Sequence, residues 1–411
     1  MIPRALEPRV LEALDDTRVV VVLGAQQVGK STLVNSVAAA RPGTTVLTLD
    51  DSATRAAASA DPTGFVVTHA TPVVIDEIQR VPDLLLAIKA RVDQDQRPGQ
   101  YLLTGSANIL TAPRIADALT GRAEYLRLGP FTQSEPQGRG STFVSELLDG
   151  DWPRAPGSGI GRAAYAGVVA AGGYPEARER SEIRRARFFD SYLDTVIQRD
   201  LSSIARVHDQ DNLRRLLLAV AATSSSLMNI DSLARDLALP ASTVRTYMSL
   251  LETLFLSVRL PAWSTNLLSR TIKTPKSMIA DSGLLCHLIG AGQHRLAADG
   301  NLAGPVIESF VVVELLRQAA WQTEVPQLFH FRDRDGREVD VVLERRDGSI
   351  AGVEVKAAAT VTARDFRGLV HLRDKLGDRF KLGIVMYTGE HALPFGDRLA
   401  AVPISGLWSG A

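Results

Sequence analysis

The stretch VVVVLGAQQVGKSTLVNSV, running from Val19 to Val37, decides the fold. Its four valines and a leucine form an unbroken apolar run, the pattern of a strand buried on both faces of a sheet. A turn follows at Gly24, then four residues, then Gly29-Lys30-Ser31 at the start of an amphipathic helix. Strand, glycine-bounded loop and helix in that order make a phosphate-binding loop. The glycines let backbone N–H groups converge on phosphate oxygens, and the helix N-terminus adds its positive dipole. The candidate nucleotide-binding positions are Gly24, Gln27, Val28, Gly29, Lys30, Ser31 and Thr32. Lys30 is expected to reach the β- and γ-phosphates, and the Ser31 hydroxyl to ligate Mg²⁺.

Downstream, Val73-Val74-Ile75-Asp76-Glu77 ends a second apolar run in two acids. An aspartate at the end of such a strand lies beside the loop and can hold the Mg²⁺ shell, so Asp76 is the second metal candidate. Glu77, one residue on, stands where a general base can polarise an attacking water. Further β-branched runs at Arg18–Gly24, Thr44–Leu49, Thr71–Asp76, Gln100–Gly105 and Ala123–Leu128 alternate with helical stretches such as Ser31–Ala40 and Leu84–Asp93. This alternation predicts an α/β fold with a parallel sheet wrapped by crossovers.

The Asp-Glu pair behind a phosphate loop resembles the AAA+ ATPases, and the resemblance implies ATP and Mg²⁺ as cofactors. It also implies a sensor residue watching the γ-phosphate on the strand Tyr101-Leu102-Leu103-Thr104-Gly105-Ser106-Ala107-Asn108. Ser106 and Asn108 are the candidates, with Thr104 behind them. Arg122, just before the fifth strand, falls where the family places an arginine finger, and a homo-oligomer is expected through it.

The 411 residues carry no net charge and are 45% hydrophobic, which allows two to four domains with substantial cores. Only seven of the 46 basic residues are Lys: Lys30, Lys89, Lys273, Lys276, Lys356, Lys375 and Lys381. Where Lys survives among 39 Arg, a compact ammonium is a candidate requirement, because the two cations are not interchangeable. A lone Cys286 excludes a disulfide framework and is expected as a buried small hydrophobe. The start MIPRALEPRV has no apolar run of a signal peptide, and no long apolar stretch suggests a membrane span, so a cytoplasmic location without membrane partners is expected. Zero net charge confines any nucleic-acid contact to a local groove.

Gly172-Gly173-Tyr174-Pro175-Glu176, Tyr192–Leu201, Asp281-Ser282-Gly283-Leu284 and the closing Gly396-Asp397…Pro403-Ile404…Leu407-Trp408 resemble segments of one AAA subgroup that carries a C-terminal domain of unknown function. Ala25-Gln26 departs from the Pro-Arg commoner in that subgroup, at variable positions of the loop. Between Leu213 and Leu260 the pattern predicts a helix-turn-helix, with Asp231 and Ser242 as N-caps of its second and third helices. Thr243, Arg245 and Thr246 would face outward on the third helix, as in DNA recognition, although its few cations also suit a packing module. Strands at Leu254–Leu260 and Ser277–Ala280 would form a wing.

Near the end, Arg337-Glu338-Val339-Asp340-Val341-Val342-Leu343 and Ile350–Lys356 flank an Asp347-Gly348 turn and predict a β-hairpin. A period of two places Glu354 and Lys356 on one face, and Asp340 can join them from the partner strand. Asp340 and Glu354 are thus candidate metal ligands for phosphodiester hydrolysis, with Lys356 orienting water. The set resembles the PD-(D/E)xK nucleases, with Val339 in place of the leading Pro. That resemblance implies a further acid from the first helix, where Glu308 fits, and a following helix Asp365–Leu376 and strand Leu382–Tyr387. Asp333, Arg334 and nearby arginines either track phosphates or solvate a loop.

The expected domains are an AAA+ ATPase core (1–130), a linker and helical lid (131–204), a winged-helix-like domain (205–290) and a nuclease-like domain (291–411). Glu77, Arg122, Glu308, Asp340, Glu354 and Lys356 are the catalytic candidates. The function expected is an ATP-hydrolysing protein whose C-terminal domain acts on nucleic acid, DNA foremost, with Mg²⁺. The alternative is a nucleotide-switched DNA- or protein-binding regulator with an inactive nuclease-like domain.

Overall fold

The strands β1 (Val19–Leu23), β2 (Thr45–Thr48), β3 (Val73–Asp76), β4 (Tyr101–Gly105) and β5 (Ala123–Arg127) form one parallel sheet in the order β2-β3-β4-β1-β5. Every residue of β1 is buried, as its Val-Val-Val-Val-Leu sequence requires of a strand covered on both faces. Only β2, at the edge, is largely exposed. Helices Lys30–Ala40 and Leu84–Gln94 lie between the strands, and two short helices, Ser52–Ala60 and Pro62–Thr68, join them. Asp51 and Asp61 cap those short helices through the backbone N–H of Thr54 and Gly64. Val21, Leu23, Ile75, Leu103, Leu85 and Ile88 share one core. Because β4 separates β1 from β3, a residue near the end of β4 stands between the loop after β1 and the acids after β3.

The computed structural model describes residues 2–105, 119–138, 140–152, 160–200 and 210–409. By compactness the chain divides into two units. The first comprises Met1–Pro130, Tyr192–His208 and Thr253–Phe255, and the second Phe131–Ser191, Asp209–Glu252 and Leu256–Ala411.

In the second unit the helices Gln210–Ala222, Ile230–Leu237 and Ala241–Thr253 precede an antiparallel pair, β6 (Ser257–Leu260) and β7 (Lys276–Ile279). The N-caps differ from expectation. Asn229, not Asp231, caps the second helix, its Oδ1 accepting the Ser232 N–H at 2.9 Å. Asp231 instead sits in the first turn, where its charge complements the helix dipole. The third helix begins at Ala241, one residue before Ser242, with the Pro240 carbonyl accepting the Val244 N–H. The first expected wing strand is shorter, because the helix persists to Thr253 and Phe255 turns the chain with φ 57°.

A six-stranded sheet follows, comprising β8 (Gln327–Arg332), β9 (Glu338–Glu344), β10 (Ile350–Lys356), β11 (Phe380–Tyr387), β12 (Leu393–Pro394) and β13 (Leu399–Pro403). Its order is β12-β13-β11-β10-β9-β8. β8, β9 and β10 are antiparallel, whereas β10, β11 and β13 run parallel. The parallel step from β10 to β11 needs a crossover, supplied by the helix Arg367–Leu376. Helix Gly300–Ala320 packs on β9 and β10 and buries Val311, Val312 and Leu315 completely.

The two segments Gly172–Glu176 and Asp281–Leu284 meet in this unit. Asp281, fully buried, accepts the Gly173 N–H at 2.8 Å, the Leu284 N–H at 3.1 Å and an Arg317 N–H at 3.1 Å. Gly172 has φ 68°, and a Cβ there would stand 2.4 Å from the Asp281 carboxylate, so only glycine fits the joint. Cys286 is buried with its thiol unpaired to any other cysteine. No helix among the described residues is long and apolar enough to cross a membrane.

Candidate functional site

The loop after β1 turns through Gln27 at φ 61° and Gly29 at φ 93° before helix Lys30–Ala40 begins. A Cβ on Gly24 would lie 2.3 Å from the Leu128 carbonyl oxygen, which explains the first glycine of the motif. Lys30 is buried, its Nζ donating to the carbonyls of Gly24 at 3.1 Å and Ala25 at 3.0 Å. The ammonium thus holds the loop in a ring around its own tip. Arg4, which the sequence reading did not single out, clamps the loop from outside. Its guanidinium donates to the Val28 carbonyl at 2.5 Å and the Gly129 carbonyl at 2.8 Å.

The two acids stand where the loop needs them. Ser31 Oγ donates to Asp76 Oδ2 at 2.8 Å, and Thr104 Oγ1 donates to Asp76 Oδ1. Thr104 in turn accepts the Glu77 N–H at 3.0 Å. Glu77 has φ 61°, a left-handed conformation that non-glycine residues rarely adopt, and Gln79 donates to its carboxylate at 2.5 Å. One hydroxyl therefore fixes both acids. Residues Ser31 and Asp76 fit a hydrated divalent ion, since their oxygens already face each other at hydrogen-bond distance. Of the three sensor candidates, Ser106 and Asn108 lie outside the described residues, and Thr104 is the one seen touching the acids. Arg122 pairs with Asp93 through two nitrogens, one at 2.9 Å, and donates to the Thr120 carbonyl. Any finger role requires it to leave Asp93.

In the second unit the structure brings Glu308, Asp340, Glu354 and Lys356 together and adds Lys276, which the sequence reading left without a role. Lys276 Nζ donates to Glu308 Oε1 at 2.6 Å and Asp340 Oδ1 at 3.0 Å. Asp340 Oδ2 accepts the Val355 N–H at 2.9 Å, and Glu354 Oε1 accepts from Lys356 Nζ at 2.7 Å. Glu354 Oε2 is buried without a partner. Burial, then the charge of Asp340, pushes the carboxyls of Glu308 and Glu354 up to about 8. Burial opposes the Lys276 ammonium, but the Asp340 and Glu308 carboxylates outweigh it and raise its pKa. Each of the two raised carboxyls faces an ammonium, Glu308 that of Lys276 and Glu354 that of Lys356. Among the described residues no three Asp, Glu, His or Cys side chains are arranged to hold a metal ion. The signal that could have pointed to Lys276 was its survival in an Arg-rich chain.

Residues 16–136 match a family described as an AAA domain. Residues 162–295 and 303–407 match two domains of unknown function, DUF8612 and DUF4143. The uncharacterized protein Rv2008c of Mycobacterium tuberculosis is 30% identical over 399 residues, covering 96% of this chain and 82% of its own. The uncharacterized protein Mb2031c of Mycobacterium bovis matches with the same identity and coverage. Among solved structures, the Walker-type ATPase paby2304 of Pyrococcus abyssi aligns over 70% of this chain and 96% of its own at 18% identity, with a TM-score of 0.39.

Proposed function

This chain belongs to the same family as Rv2008c and Mb2031c and carries an AAA ATPase-like domain, and on that premise we propose that it hydrolyses Mg·ATP to switch a nucleic-acid-directed second unit. The observation that carries the ATPase reading is the hydrogen-bonded chain Ser31–Asp76–Thr104–Glu77 beside Lys30. In it Lys30 binds phosphate, Ser31 and Asp76 hold the metal shell, and Glu77 takes the proton of the attacking water. Mg²⁺, when bound, neutralises charge on the β- and γ-phosphates. Thr104 positions both acids. Arg122, freed from Asp93, is the residue with which a second copy of the chain would sense the nucleotide.

We take residues 205–290 as winged-helix-like and 291–411 as nuclease-like. The helices ending in Ala241–Thr253 followed by the β6–β7 pair support the first assignment. Helix Gly300–Ala320 with Glu308, the β9–β10 hairpin and the β10-to-β11 crossover support the second. The geometry favours a regulator that binds DNA over one that cuts it, since each acid of the cluster has at least one oxygen engaged by a protein donor and Asp340 has both. The convergence of Glu308, Asp340, Glu354 and Lys356 is the one observation in favour of cutting.

ATP turnover measured with and without duplex DNA or RNA, with strand scission followed in the same samples, tests this reading. A nucleic-acid-dependent rate without scission is expected. A rate indifferent to both nucleic acids would remove the nucleic-acid partner, and Mg²⁺-dependent scission would restore the nuclease reading.

A further inference from the structure

A PD-(D/E)xK-like cluster is built to hold a divalent cation, and in this protein a cation of a different kind stands there. Lys276 opens β7, a strand fixed from both sides. Its backbone pairs with Leu260 of β6 and bridges to Leu227, and the neighbouring Ser277 carbonyl accepts the Ser225 N–H at 3.1 Å. Only 7% of Lys276 is exposed. From that anchored position the ammonium joins Glu308 of the long helix to Asp340 of β9, at 2.6 and 3.0 Å. Mg²⁺ in this place would need oxygens at about 2.0–2.1 Å in near-octahedral array. Four of the six carboxylate oxygens are committed: one from each of Glu308 and Asp340 to Lys276, the other of Asp340 to the Val355 N–H, one of Glu354 to Lys356. A compact ammonium suits this bridging role as a planar guanidinium would not, in a chain with 39 Arg and seven Lys.

We infer that Lys276 is the resident cation of the acidic cluster, a tethered ammonium that closes it to divalent metal. The inference rests on the nuclease-like assignment of residues 291–411 and is independent of the ATP site. A lysine on the chain competes for the carboxylates without leaving for solution. With the lysine in place, Asp340, the acid at the centre of the cluster, has neither oxygen left for a metal that could activate water. Without it, Glu308 and Asp340 become an unneutralised buried acid pair that a metal ion can bridge.

Mn²⁺ uptake by the nucleotide-free full chain, followed by the loss of the free-ion paramagnetic signal, tests this. Wild type and Glu354→Gln are expected to take up Mn²⁺ equally, because the cluster holds none in either. Lys276→Met is expected to bind Mn²⁺ more tightly, by on the order of tenfold or more, and its melting temperature should rise with added Mn²⁺. Uptake by wild type that falls on Glu354→Gln would overturn the inference and strengthen the nuclease reading. A folded Lys276→Met that gains no Mn²⁺ would overturn both the inference and the nuclease-like assignment. If Lys276→Met does not fold, the comparison of wild type with Glu354→Gln decides alone.

Discussion

Glu77→Gln is expected to slow ATP turnover by about 10²–10⁴-fold while leaving Mg·ATP binding in place. The replacement keeps the shape of the side chain and a partner for Gln79, whose Nε2 lies 2.5 Å from the Glu77 carboxylate. It removes the negative charge and with it the ability to accept a proton. The Glu77 backbone is tied to Thr104, and the residues proposed to face phosphate are 24–32. Binding and turnover should therefore separate cleanly. Phosphate release and fluorescent-nucleotide binding, compared in wild type and variant, check this. Turnover within a few-fold of wild type would move the base elsewhere.

The second large effect falls on stability. Asp340→Ala should destabilise the second unit by about 3–5 kcal/mol, the cost of breaking a buried ion pair by removing one partner. It leaves the Lys276 ammonium with Glu308 alone and the Val355 N–H without its acceptor. An intact buried pair is itself a weak source of stability, so the loss comes mainly from the uncompensated groups. Partial relief comes from losing the Asp340 charge, which after burial is what pushes the carboxyls of Glu308 and Glu354 up. That relief places the expected value near the lower end of the range. The four tryptophans, Trp152, Trp263, Trp321 and Trp408, all belong to the second unit, so their fluorescence in a urea titration reports on it selectively. A shift below about 1 kcal/mol would mean that Asp340 is not paired in the folded protein.

Much of the first sheet was legible because its signals are local. Each expected strand contains an observed one, and the glycine spacing around Lys30 located the turn that the positive φ of Gly29 and Gln27 makes. The β9–β10 hairpin was legible for the same reason, since a period of two and an Asp-Gly turn fix which residues share a face. Contacts made across long stretches of chain were not. Arg4 meets carbonyls 24 and 125 residues away, and Lys276 meets acids 32 and 64 residues away. Neither strand alternation nor helix periodicity carries information about such partners. The cap at Asn229 was missed for a smaller reason: Asn229 and Asp231 are both good caps, and only the backbone decides which one precedes the first helical residue.

The central claim is that Lys30, Ser31, Asp76 and Glu77 form a site for Mg·ATP. Calorimetric titration of Mg·ATP into wild type and Lys30→Ala tests it most directly. Saturable binding by wild type that the variant loses is the predicted result, because the substitution removes the ammonium that now holds the Gly24 and Ala25 carbonyls at the loop's tip. Equal affinity in the two folded proteins would contradict it.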